Sequence, residues 1–107
     1  MEKETRKEIE ELLKENKIIL FMKGEPNGDM CGFSSRVVGV LQNMNVDFFH
    51  FNVLEDESIW SGIKEYGNWP TIPQLYVQGK LIGGCDIVEE LFRNGELKKI
   101  LKGTSMN

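Results

Sequence analysis

The run Ile18-Ile19-Leu20-Phe21-Met22 constrains this chain most. Five consecutive apolar residues with no polar alternation read as a strand covered on both faces. Such a strand needs a layer on each side, and helical patterns stand before and after it. Thr5-Arg6-Lys7-Glu8 has the form of a capping box, and Ile9, Leu12 and Leu13 follow at helical spacing, so a helix is expected from Thr5 to Asn16. Lys23 to Met30 is rich in Gly, Pro and Asn and reads as a loop. A second helix begins at Cys31 or Gly32, buries Val37, Val40, Leu41 and Met44, and stops at Asn45.

Val46 to Val53 is aromatic and β-branched and reads as a second strand. Asp56 to Tyr66 is helical in pattern, with Ile59 and Ile63 on one face and Gly67 behind. Leu75-Tyr76-Val77 and Lys80-Leu81-Ile82 flank Gln78-Gly79 as a hairpin. Asp86 is expected to cap a further helix carrying Val88, Leu91 and Phe92. After Asn94-Gly95, a last helix with Leu97, Ile100 and Leu101 ends at Gly103. The order α-β-α-β-α-β-β-α-α gives a parallel pair with a right-handed crossover, then an antiparallel hairpin. The expected fold is α/β: one mixed four-stranded sheet flanked by helices on both faces. At 107 residues the chain is one domain, 1–107, with an ordered core from about residue 4 to residue 103.

Charge and composition mainly exclude. The net charge is −4, with basic residues scattered among acidic ones, so no nucleic-acid stripe is present. No apolar run approaches the roughly 20 residues a bilayer requires, which argues against a membrane partner. Six glutamates in the first 17 residues are unlike a transit or signal peptide. The expected location is the cytoplasm, or a mitochondrion or other organelle if a targeting segment has been removed. The cysteines are Cys31 and Cys85, and His50 is the single histidine, too few soft ligands for a zinc ribbon or finger.

The chemistry concentrates in three places. Cys31-Gly32-Phe33-Ser34 sits at a loop-to-helix junction behind the buried strand. Unpaired N–H groups and the helix dipole there favour thiolate, the reactive and metal-binding form. The alternative is a cysteine that is only small and buried. Lys23, at the end of the strand, supplies a cation near the thiolate or near the carboxylate of a thiol ligand. Ser34 stands where a dithiol protein has its second cysteine, and a serine cannot close a disulfide. Cys31 must therefore work with a thiol from outside, from Cys85 or from another chain. In Trp69-Pro70-Thr71-Ile72-Pro73, Pro73 sits at a strand start, where its missing N–H is tolerated. A cis Ile72–Pro73 bond would turn the preceding backbone outward toward an extended peptide; otherwise the segment is a rigid loop. In Gly83-Gly84-Cys85-Asp86, the glycines permit close approach of a ligand backbone and the helix start offers an anion site. Cys85 reads as a small buried residue, with a resolving thiol as the alternative.

These segments, with Phe21-Met22-Lys23-Gly24 and the eight-residue step from Lys23 to Cys31, resemble the monothiol glutaredoxin family of the Cys-Gly-Phe-Ser type. The resemblance runs from the first helix to about Gly103. It implies a thioredoxin fold and a cis bond before Pro73. It also implies glutathione and a [2Fe-2S] cluster as cofactors, the cluster shared by a homodimer. A [2Fe-2S] cluster takes four thiolates; two copies of Cys31 and two glutathiones supply them. By the same resemblance Lys23 pairs with the glycine carboxylate of glutathione, with Lys64 approaching it. Ile72 holds the cysteine moiety by its backbone, and Cys85 and Asp86 bind the γ-glutamyl end. Trp60 departs from the family pattern, which often has a basic or amide residue there, one turn before Lys64.

The function implied is delivery of the cluster to acceptor apoproteins in iron–sulfur assembly, with a BolA-like protein as a further partner. The alternative is a weak glutathione-dependent oxidoreductase, in which Cys31 attacks a mixed disulfide and a second glutathione resolves it. A regulatory iron sensor is a third reading.

Overall fold

The structure is a computed structural model that describes residues 1–105. Its centre is β1 (Ile18–Met22), buried along its whole length. Alternate side chains of a strand point to opposite faces. Ile18, Leu20 and Met22 enter one core with Leu75 and Val77, while Ile19 and Phe21 enter a second core with Tyr76. Both faces must be apolar because both are covered, which explains the unbroken run.

The first core is roofed by α2 (Gly32–Asn43), α4 (Cys85–Arg93) and α5 (Glu96–Ser105), through Val37, Leu41, Val88, Leu97 and Leu101. The second is roofed by α1 (Lys3–Glu15) and α3 (Glu57–Tyr66), through Ile9, Leu13, Ile59 and Ile63. Phe21 packs edge-on against Tyr76, with ring centres 5.7 Å apart.

The remaining strands are β2 (Phe49–Asn52), β3 (Gln74–Val77) and β4 (Lys80–Gly83). The sheet order is β2-β1-β3-β4. β1 runs parallel to β2, with Ile19 opposite Phe49, and antiparallel to β3, with Leu20 opposite Leu75. β3 and β4 form the hairpin, turned by Gln78 and Gly79 with φ of 51° and 79°. Both positive values suit the right-handed twist of a two-residue hairpin. This is the mixed sheet expected from the element order.

Several boundaries differ from the sequence reading. β2 stops at Asn52, with Val53 opening a short 3-10 turn to Glu55, and α2 ends at Asn43, short of the expected stop at Asn45. α1 starts at Lys3 behind Glu2, so Thr5 is not a cap but a buried residue within the helix. Thr5 packs over Gly62 of α3, where a Cβ would lie 2.8 Å from its methyl group. β2 begins at Phe49, not Val46, because only from there does the backbone pair with β1. Gly84, not Asp86, is the N-cap of α4, and Asp86 falls in its first turn. α5 runs through Gly103 to Ser105.

Antiparallel pairing decides where the chemistry collects. The last residues of β1 lie beside the first of β3, Phe21 opposite Gln74, and the end of β4 lies beside β3, Leu75 opposite Gly83. Lys23, Pro73 and Gly84 thus meet at one end of the sheet, together with the starts of α2 and α4.

Candidate functional site

Cys31 is the N-cap of α2, and its sulfur accepts the Ser34 N–H at 3.4 Å. Its own N–H donates to the Lys23 carbonyl at 3.1 Å, tying the thiol to the end of β1. Ser34 is fully buried, and its Oγ lies 3.2 Å from Cys31 Sγ. The same Oγ accepts the Lys23 N–H at 3.1 Å. With that lone pair used, the hydroxyl hydrogen is free to donate to a thiolate. Partial burial pushes the Cys31 pKa up, but the Ser34 hydroxyl, the N–H groups of Ser34 and Phe33 and the charge of Lys23 outweigh it. The net result is a thiol held below its ordinary value, shifted toward thiolate.

Cys85 has the opposite environment. It is 7% exposed and packs in the first core. Burial pushes its thiol up, Glu89 and Asp86 push it further, and Arg36 only partly opposes them. Both cysteines are free. One thiol is shifted toward thiolate, and the other away from it.

Beside Cys31 lies a groove of about 430 Å³. Lys23, Lys64, Ile72, Cys85 and Asp86 all line it, so the structure brings these five positions together; Cys31 is not one of its lining residues and stands two residues before Phe33, which is. The Ile72–Pro73 bond is cis. The rim also carries Phe33 and Ile87, which are 57% and 40% exposed. The glycine before Cys85 has a role the sequence did not reveal. A Cβ on Gly84 would lie 3.1 Å from the Pro73 carbonyl oxygen and 3.2 Å from Trp69 Nε1. Protein, not ligand, makes that close approach, and it seats α4 against the cis-proline loop.

The loop ahead of Cys31 is fixed from β2. The Asn52 side chain accepts the N–H groups of Gly24 at 2.9 Å and Leu54 at 3.0 Å, and donates to Glu25 at 3.0 Å. Glu25 also meets His50 Nε2 at 2.8 Å, and these two partners hold its carboxyl below the usual range. Gly24 bridges to Met30 with φ of 106°, and a side chain there would strike the Asp29 carbonyl.

From the sequence Ser34 reads as a missing second thiol or as an early-helix polar residue, not as a bridge between Lys23 and Cys31. A usable signal was present: Ser34 is the third residue after a capping position, where the N–H faces the cap side chain. Phe33, Trp69 and the Asn52 anchor lie on separate segments and join only through the fold.

The sheet order and the two helical layers place this protein in the thioredoxin-like class, and Ser34 marks a site of that class built on a single thiol. Compared with known proteins, the glutaredoxin family model matches residues 18–82. The chain is 50% identical over 102 residues to a probable monothiol glutaredoxin 2 of Rickettsia typhi, covering 95% of this chain and 92% of that protein. It superposes on the solution structure of reduced apo GrxS14 of poplar with a TM-score of 0.83 and 39% identity, covering 95% and 94% of the two chains. A buckwheat glutaredoxin–glutathione complex aligns with a TM-score of 0.84 and 25% identity, covering 94% and 90%. The chain belongs to the glutaredoxin family, among its monothiol members.

Proposed function

We propose that this protein binds glutathione in the groove beside Cys31 and carries a [2Fe-2S] cluster as cargo between two copies of itself, for delivery to acceptor apoproteins. The observation that carries the reading is the unequal pair of thiols: Cys31 caps α2, is partly exposed and is shifted toward thiolate, whereas Cys85 is buried and shifted away from it. A cluster takes four thiolates, and one chain offers one. The donor set therefore fits a shared cluster, not a private one, with the missing thiolates supplied by glutathione and a second chain.

The groove suits such a ligand. Lys23 and Lys64 stand ready for its glycine carboxylate, the Ile72 backbone for its cysteine moiety, and Cys85 N–H and Asp86 for its γ-glutamyl end. A relative of the same fold is described as a glutathione complex. An exposed Phe33 and Ile87 give acceptor proteins, a BolA-like partner among them, an apolar rim to meet. Among the described residues no helix is long and apolar enough to cross a membrane. The proposed location is cytoplasm or the interior of an organelle, where thiols stay reduced.

The test is anaerobic reconstitution with iron, sulfide and glutathione, read by visible absorption and size-exclusion. A coloured dimer is expected, and Cys31→Ser should give a colourless monomer. A colourless wild-type monomer with strong turnover in a glutathione-coupled reductase assay would instead establish the oxidoreductase.

A further inference from the structure

The groove is lined by two cations, Lys23 and Lys64, and by one carboxylate, Asp86, which pairs with neither of them. Lys23 Nζ lies 5.2 Å from the centre of the Trp60 ring, and Lys64 Nζ lies 5.8 Å from it. All three side chains line the groove. Among the described residues neither ammonium takes part in an ion pair. Trp60 stands four residues before Lys64 on α3, so the two share a helix face. Lys23 comes from the end of β1. The indole is thus where two separate elements bring their charges.

Like charges on one ring repel, and the negative face of the ring offsets that repulsion. Trp is the strongest aromatic for such contacts. A carboxylate in its place would neutralise the lysines. An indole fixes their positions and leaves their charge available. Fixing charged groups before the ligand arrives removes part of the ordering entropy of binding.

We propose that Trp60 is a positioning residue of the groove: it holds Lys23 and Lys64 ready for one anionic terminus, and so sets the affinity for thiol peptides that end in a free carboxylate. This rests on the glutathione reading above. Trp60 acts through the lysines, so its influence extends only to ligands that present the carboxylate.

The experiment titrates glutathione and its C-terminal amide into the wild type, Trp60→Ala and Trp60→Phe by calorimetry. It also records proton shifts of the Lys23 and Lys64 ε-methylenes without ligand, with thermal unfolding as the check on folding. W60A should bind glutathione roughly fivefold more weakly, and W60F should stay within about twofold of the wild type. The amide should bind more weakly than the acid and equally to wild type and W60A. The ε-methylene signals should be shifted upfield by the ring in wild type and W60F, and not in W60A. Equal loss for acid and amide would show Trp60 touching the ligand body and overturn the proposal, as would unchanged glutathione binding by W60A. A wild type that binds neither ligand overturns the glutathione reading and this one together, and absent upfield shifts in the wild type overturn the Trp60 contact alone.

Discussion

Ser34 does more for the chemistry than its position suggests. Its buried Oγ joins the Lys23 N–H to the Cys31 sulfur. Removing it takes a donor from the thiolate and leaves a backbone N–H unpaired. In Ser34→Ala the Cys31 pKa should rise, so the pH profile of iodoacetamide alkylation moves to higher pH than in the wild type; superimposable profiles would count against the bridge. The stability effect carries the matching sign. Folding lowers this pKa, so the thiolate's contribution is present above the unfolded value of about 9.0 and is lost as pH falls through the lower folded value. At this scale the sequence told much about Cys31, because a cap position has fixed electrostatics. It told little about Ser34, whose second partner, Lys23, lies eleven residues away.

Elements were legible where one period or one cap decided them. β1 is Ile18–Met22 as read, and the helix read from Asp56 to Tyr66 is α3, where Asp56 is the cap and accepts the Ile59 N–H at 3.0 Å. Asp56→Ala should lower stability by about 1 kcal/mol, measured by urea unfolding. Elements were misjudged where tertiary contacts overrode local chemistry. Thr5 has the look of a cap but is drawn inside α1 by Gly62, which lets α1 and α3 approach closely. Val46 is β-branched but lies outside β2, behind an Asn45 with φ of 55°. The loop before Cys31 gives the sharpest test at this scale. Gly24→Ala meets both a positive φ and the Asp29 carbonyl, so it should lose about 1–3 kcal/mol and loosen the loop. Hydrogen exchange at Glu25 and Cys31 should then quicken; an unchanged exchange rate at both would refute the role of the Gly24 turn.

At the scale of the molecule, β1 is shared by both cores, and the groove exists because antiparallel pairing brings Lys23, Pro73 and Gly84 to one end of the sheet. Leu20 is fully buried at the middle of that strand. Leu20→Ala should lose about 2–5 kcal/mol, a large part of the roughly 5–15 kcal/mol of a domain, seen as a fall in the urea midpoint. Tyr76 reports the other core. Burial pushes its phenol up to about 12, and it donates to Gln74 at 3.0 Å. The unfolded phenol ionises near 10.0, so this residue's stabilisation is complete below that pH and is lost as pH rises toward about 12. The groove was legible only as separate segments; their convergence depends on a sheet order that short-range pattern does not contain. On the proposed function, one available thiolate per chain, that of Cys31, requires the cluster to be shared. That requirement is tested most directly by measuring iron, sulfide, glutathione and protein in the isolated coloured species. Four thiolates per cluster predict two chains and two glutathiones for each cluster, with the same ratio in Cys85→Ser. A cluster held by one chain, or one that survives Cys31→Ser, would contradict the account.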